Sequence, residues 1–260
     1  MAGRTYGGLM FASVLVALAG QAEGRDALVL AAQLADADGR IVVAHVTATS
    51  PAPLTGGSEA AARRRASLRD AGEEVYAALG PDPRVRYLPI SGVPFAEAVR
   101  SVARRERTDA VVLGQNLLGQ EPGARELVAS APCPVVVAPY GHRFVRAFAP
   151  ARVTVACGPP GPGDDAVRLA TVLAERVGAH VRLIAAGDGL ADEWLAHAQG
   201  LAPAAAATRV AGLGAAALIG QTRADVDVLV IAGADDEVLR QAGCPVLVVA
   251  PAHRAQPVAA

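Results

Sequence analysis

Residues 14–42, VLVALAGQAEGRDALVLAAQLADADGRIV, recur without a gap at residues 153–181 as VTVACGPPGPGDDAVRLATVLAERVGAHV. Val14, Val16, Ala17, Gly24, Asp26, Ala27, Leu30, Ala31, Leu34, Ala35, Gly39 and Val42 reappear as Val153, Val155, Ala156, Gly163, Asp165, Ala166, Leu169, Ala170, Leu173, Ala174, Gly178 and Val181. The central identities fall at i, i+3, i+4 and i+7, the spacing of one buried helix face. The runs on either side are short and valine-rich, as strands are. Each copy therefore reads as strand, turn, amphipathic helix, glycine stop and strand. The copies also end alike, with APCPVVVAP from Ala131 and AGCPVLVVAP from Ala242.

Working outward, the first unit reads as strand 14–19, helix 24–38, strand 41–48, a Pro/Gly/Ser loop at 50–58 and helix 59–79. Strand 85–90, helix 94–106, strand 110–114, a short helix 123–130 and strand 134–138 follow. The second unit repeats the order with a shorter middle and strands near 153–157, 181–186, 208–211, 228–232 and 245–249. Strands alternating with helices, and apolar on both faces as in AVVLG and PVVVA, describe parallel sheets with helices on both faces. The expected fold is α/β with two tandem open-sheet, Rossmann-like domains, 1–140 and a shortened 153–260, joined by a linker at 141–152. The apolar run at the N-terminus could pass for a secretory leader. Its counterpart, Val153 to Cys157, stands in mid-chain, so both are read as strands and the location as cytoplasmic.

Composition closes several function classes. All 24 basic residues are arginine, so no lysine can form a Schiff base or reach a γ-phosphate from a Walker loop. The net charge of −1 and an aromatic content of 3% argue against nucleic acid, which calls for clustered cations and stacking platforms. No stretch is long and apolar enough for a membrane helix. Cys133, Cys157 and Cys244 sit in apolar runs without CxxC spacing, and the five histidines lack metal-ligand spacing, so neither a disulfide framework nor a metal site is expected. No GxSxG elbow occurs, and no catalytic residue is assigned.

SVLVALAG, SGVPFAEAVRSVARRERTDAVVLG and ARELVASAPCPVVVAP, in that order, resemble a universal stress protein domain, and the repeat makes the chain a tandem pair. The resemblance implies a choice between ATP-binding and non-binding branches. The binding branch carries an Asp after the first strand and a G-x2-G-x9-G-(S/T) loop after the fourth, where backbone amides and a helix N-terminus meet phosphate. Here Gly114 matches the first glycine, but Leu117 stands at the second. Counting back from the APCPV anchor, Glu121 and Pro122 occupy the last two positions, and the loop is shorter than the pattern. A carboxylate ~4 Å from a phosphate charge costs on the order of 4 kcal/mol at a surface-like dielectric, and Pro122 has no N–H. The first-strand Asp position is Ala19 in one unit and Gly158 in the other.

The expected cleft is thus vestigial, lined by Ala19, Gly20, Val46, Gly114, Gln115, Asn116, Gly119 and Glu121, with ATP disfavoured and no cofactor expected. The implied role is that of a non-catalytic regulatory or scaffold protein with an unknown protein partner. The alternatives are a weak adenine-nucleotide sensor, or a small-molecule binder or enzyme reusing the emptied cleft. By resemblance, strands 134–138 and 245–249 would pair antiparallel into an intramolecular pseudo-dimer, with a homodimer open on top of that. Asp164, Asp165, Asp188, Asp192, Asp235 and Asp236 gather at strand ends of the second unit, as helix caps or as an acidic mouth for a cation.

Overall fold

The computed structural model describes residues 11–19, 24–47, 69, 72–186, 189–210, 214–224 and 227–250. The strands are β1 (Phe11–Ala19), β2 (Ala35–Thr47), β3 (Val85–Ser91), β4 (Ala110–Gly114), β5 (Val135–Ala138), β6 (Arg152–Ala156), β7 (His180–Ala186), β8 (Ala206–Val210), β9 (Val228–Ala232) and β10 (Val246–Val249). Between them run helices α1 (Arg25–Leu34), α2 (72–79), α3 (Phe95–Glu106), α4 (Leu117–Gln120), α5 (Pro122–Ser130), α6 (Pro162–Val177), α7 (Ala191–Leu201), α8 (Gly214–Ala224) and α9 (Asp236–Gln241). All ten strands join one sheet in the order β3-β2-β1-β4-β5-β10-β9-β6-β7-β8. Every pairing is parallel except that of β5 with β10, which is antiparallel.

Each half of the sheet has the same internal order, and the halves meet at the antiparallel pair β5 and β10. Val246, Leu247 and Val248 stand opposite Val137, Val136 and Val135. Alternate side chains enter opposite faces, and both faces are covered. One carries Val14, Val16, Val136 and Leu247 under α1, α2, α6 and α7. The other carries Leu15, Ala17, Val137 and Val246 under α3, α4, α5, α8 and α9. The outer edges are β3, interrupted by Pro89, which cannot donate to a further strand, and the short β8.

Local readings are corrected in several places. The first helix stops at Leu34, short of the expected 38, because Ala35 turns to extended backbone at φ −69°, ψ 140°. The Asp36 carbonyl is taken by Arg84 Nη1 at 2.9 Å, and the chain bulges, with β2 advancing from Ala35 to Arg40 while β1 goes only from Phe11 to Ser13. Gly39 is therefore no helix stop. A Cβ there would meet Asp36 backbone at 3.0 Å and the Phe11 carbonyl at 3.1 Å, so it serves close packing. Gly178, its counterpart, does end α6 in the left-handed region at φ 68°. The difference slips the register: Val14 stands beside Ile41, whereas Val153 stands beside Val181, so Val42 and Val181 face opposite sides. Arg152, read as linker, is the first residue of β6.

One device recurs in both halves. Asp109, ahead of β4, accepts from the Ser13 amide at 2.8 Å, and Asp227, ahead of β9, accepts from the amides of Ala151 and Arg152 at 2.9 Å each. Each carboxylate ties down the head of the strand that leads its half.

Leu247, 2% exposed, lies on the joining strand. Its replacement by Ala is expected to cost about 2–5 kcal/mol of unfolding free energy, the usual range for a buried Leu, measured by urea titration.

Candidate functional site

Ligands of open α/β sheets bind at the carboxyl ends of strands, so the loop after β4 is where the vestigial cleft should lie. Ala19 and Val46 are neighbours across β1 and β2 and are 9% and 3% exposed. Gly114 closes β4 and is buried; Gly119 is exposed on α4. Gly20 falls outside the described residues. The loop itself forms α4, a helix the sequence reading missed. It is made because Leu117 and Leu118, each 3% exposed, turn into the core beside α3 and α5. Apolar burial thus occupies the position where a phosphate loop would have its second glycine.

Glu121 is the N-cap of α5. Its side chain accepts from the Gly123 amide at 3.1 Å, and Pro122 fills the first helical position, where no N–H is needed. A Cβ on Gly123 would sit 3.1 Å from Phe95 Cβ and 3.3 Å from the Ala96 amide, so the start of α5 lies against the start of α3.

Gln115 and Asn116 are expected to line a polar cleft, but Gln115 does not. Its Nε2 donates to the carbonyls of Leu239 (3.0 Å) and Ala242 (3.2 Å) in the second half, and its Oε1 accepts from the Tyr140 amide at 3.2 Å. The amide is used at both ends to hold α9 and the chain beyond β5. Asn116 is half-buried as the N-cap of α4. Next to this clamp, Arg125 reaches the Leu118 carbonyl at 3.1 Å and the Asp236 carboxylate at 3.1 Å. The loop, α5 and α9 are thus cross-tied.

The residues 139–150 that follow β5 lie over α1. Asp26, 7% exposed, accepts from the amides of Gly141 (3.1 Å) and Arg143 (2.7 Å). Gln33 Nε2 donates to the Val145 carbonyl, and its Oε1 stands 2.8 Å from His142 Nε2. Burial holds the His142 imidazole below its ordinary pKa, with the Asp26 charge pulling the other way. A hollow of about 380 Å³ lies between this strap and the starts of β9 and β10, walled by Val145, Phe148, Pro150, Asp227, Cys244 and Pro245 among others. Ala19, Gln115 and Asn116 are not in its wall.

The universal stress protein family model matches residues 10–139, half of the chain. The chain belongs to the universal stress protein family. Among solved structures it is similar to a universal stress protein from Archaeoglobus fulgidus DSM 4304, with a TM-score of 0.65 and 15% identity, covering 91% of this chain and 96% of that one. A functionally unknown protein from Pseudomonas aeruginosa PAO1 aligns with a TM-score of 0.54 and 16% identity over 93% of both chains. At such identities the likeness establishes the fold. No curated protein matches the chain.

The acidic residues of the second half are individually engaged. Asp235 caps α9, accepting from the amides of Glu237 and Val238 at 3.0 Å. Asp165 pairs with Arg168, Asp192 with Arg209 and Asp236 with Arg125. Asp164 stands 2.9 Å from His197 Nε2; burial would raise its carboxyl, but the His197 contact and the Gly161 amide outweigh that and hold it below the usual range. Asp188 lies outside the described residues. Among the described residues no three potential ligands gather for a metal ion, and no helix is long and apolar enough to cross a membrane. Sequence reading also missed a contact between the buried His45 and the half-buried Tyr87, Nδ1 to Oη at 2.7 Å, whose partners lie on adjacent strands.

Two outcomes are expected. Gln115→Ala leaves the Leu239 and Ala242 carbonyls without their donor and should lower stability by about 1–3 kcal/mol, whereas Arg125→Ala, which breaks a half-exposed ion pair, should cost under about 1 kcal/mol; urea unfolding of both variants measures the contrast. Burial pushes the thiols of Cys133 and Cys244 up to about 12 and Cys157 up to about 11. At pH 8 the reactive thiolate is then scarce, so a thiol reagent should label the buried Cys133 and Cys244 of the native protein far more slowly than after unfolding in urea, with the half-buried Cys157 reacting first.

Proposed function

We propose that this chain is a non-catalytic member of its family that acts through protein contact, and that its first-half nucleotide loop is degenerate. The observation that carries this reading is the Glu121 carboxylate bonded to the Gly123 amide. In a phosphate cradle that first-turn amide faces the ligand's anion; here an internal anion holds it. Pro122 offers no amide, Leu117 points into the core, and Gln115 is engaged with α9. The residues present therefore do not suit a triphosphate, and no step through ATP follows. The two halves act as an intramolecular pseudo-dimer of tandem domains, a rigid platform with its inner edges already paired. Its place of action is the cytoplasm, and its partners are other proteins.

Calorimetric titration with ATP, with and without Mg²⁺, tests this. No saturable heat is expected at millimolar nucleotide. A micromolar Kd would overturn the reading. Glu121→Gly combined with Pro122→Ser frees the amide and restores a hydroxyl, and measurable ATP affinity in that variant alone would identify the native pair as the block.

A further inference from the structure

The two most exposed of the large apolar side chains among the described residues sit together on the strap. Phe144 is 77% and Tyr140 73% exposed, in a chain with few aromatics. The Arg143 guanidinium lies between them, 5.4 Å from the Tyr140 ring centre and 5.2 Å from that of Phe144, and Arg146 is exposed just beyond. From Tyr140 to Arg152 the chain holds no carboxylate. The two that approach it from other elements, Asp26 and Asp227, accept from strap amides, with Asp26 also 3.8 Å from Arg143. The exposed cation of the patch is Arg146, while Arg143, with 21% of its side chain exposed, is partly offset by Asp26.

The patch is also held in advance. Asp26, Gln33 and Gln115 fix its backbone from three directions, and His142 packs edge-on against Phe148 beneath it. Aromatic and arginine side chains beside a partly apolar hollow have the composition of interface hot spots, and a backbone fixed beforehand lowers the entropy lost on binding. A nucleic acid fits poorly, since its backbone needs a long track of cations and this patch has two arginines at its crest.

We propose that residues 140–146 and the adjoining hollow are a docking surface for a segment of another protein that carries a carboxylate next to an apolar side chain. The carboxylate meets Arg143 and Arg146, and the apolar side chain enters the hollow between Phe148 and Pro245. This deepens the protein-contact reading above and rests on it.

The test pans a random peptide library on the intact chain and measures the enriched peptides by fluorescence anisotropy. Enriched sequences should pair Asp or Glu with an aromatic or aliphatic residue. They should bind Tyr140→Ala/Phe144→Ala at least tenfold more weakly, bind Arg146→Glu more weakly still, and weaken as salt is raised. These side chains are exposed, so the variants keep the fold, which circular dichroism checks. Peptides without carboxylates, or equal binding to the double variant, would overturn the proposal. Equal binding of single-stranded DNA or of anionic phosphatidylserine vesicles would do so too, as would a sedimenting dimer abolished by the double variant, which would give the face to a second copy. The ATP titration separates the two failures: strap-independent peptides without ATP affinity sink only this surface, whereas ATP affinity sinks the reading beneath it.

Discussion

The antiparallel pairing of β5 with β10 is the constraint from which the rest of the architecture follows. A parallel sheet of five strands that ended at β5 would leave a row of unpaired backbone donors and acceptors, and the same holds at β10. Joining them covers both edges and carries the two hydrophobic layers across the seam without a break. Because the pairing is antiparallel, the carboxyl ends of the first five strands share a rim with the amino ends of the second five. The chain leaving β5 at Ala138 is therefore already on the rim where β6 begins at Arg152. A connection of this length needs only to pass over the starts of β10 and β9, and that path defines both the strap and the hollow beneath it.

The same geometry explains what became of the loop after β4. On the shared rim that loop faces the end of α9, which must deliver the chain into β10. Helix ends leave carbonyls without intrahelical donors, and those of Leu239 and Ala242 need partners at a buried seam. Gln115 supplies them from one amide group. A loop shaped to wrap phosphate would have glycines exposing its backbone amides outward; this one turns leucines inward and its glutamine sideways. The polar groups of this loop serve neighbouring elements of the fold.

Element order and strand identity were legible in the sequence because they rest on local periodicity, which the repeat doubled. The helix over 24–38 was misread because ALVLAAQLADA continues the helical spacing past Leu34, while the bulge that ends it depends on Arg84 and Phe11, far away in the chain. That Glu121 and Pro122 stand at the end of the loop could be read, since it concerns which residues occupy fixed spacing. The role of Gln115 could not, since its partners lie 124 and 127 residues away and nothing in its own neighbourhood marks them. Asp26 gave a partial signal, being repeated as Asp165, but the two do different work: one holds the strap, the other pairs with Arg168.

That contrast between the halves runs through the rest of the molecule. Asp109 and Asp227 perform the same task in both, anchoring the head of the leading strand, and the apolar strand cores repeat with them. Residues at the carboxyl ends of the strands do not repeat: Ala19 answers to Gly158, and the loop of seven residues from Gln115 to Glu121 has no room between Gly233 and Asp235. A double site of equal halves would require those rims to match. Two matching frameworks thus carry unmatched rims, and among the described residues both α4 and the strap that joins the halves depart from the repeat.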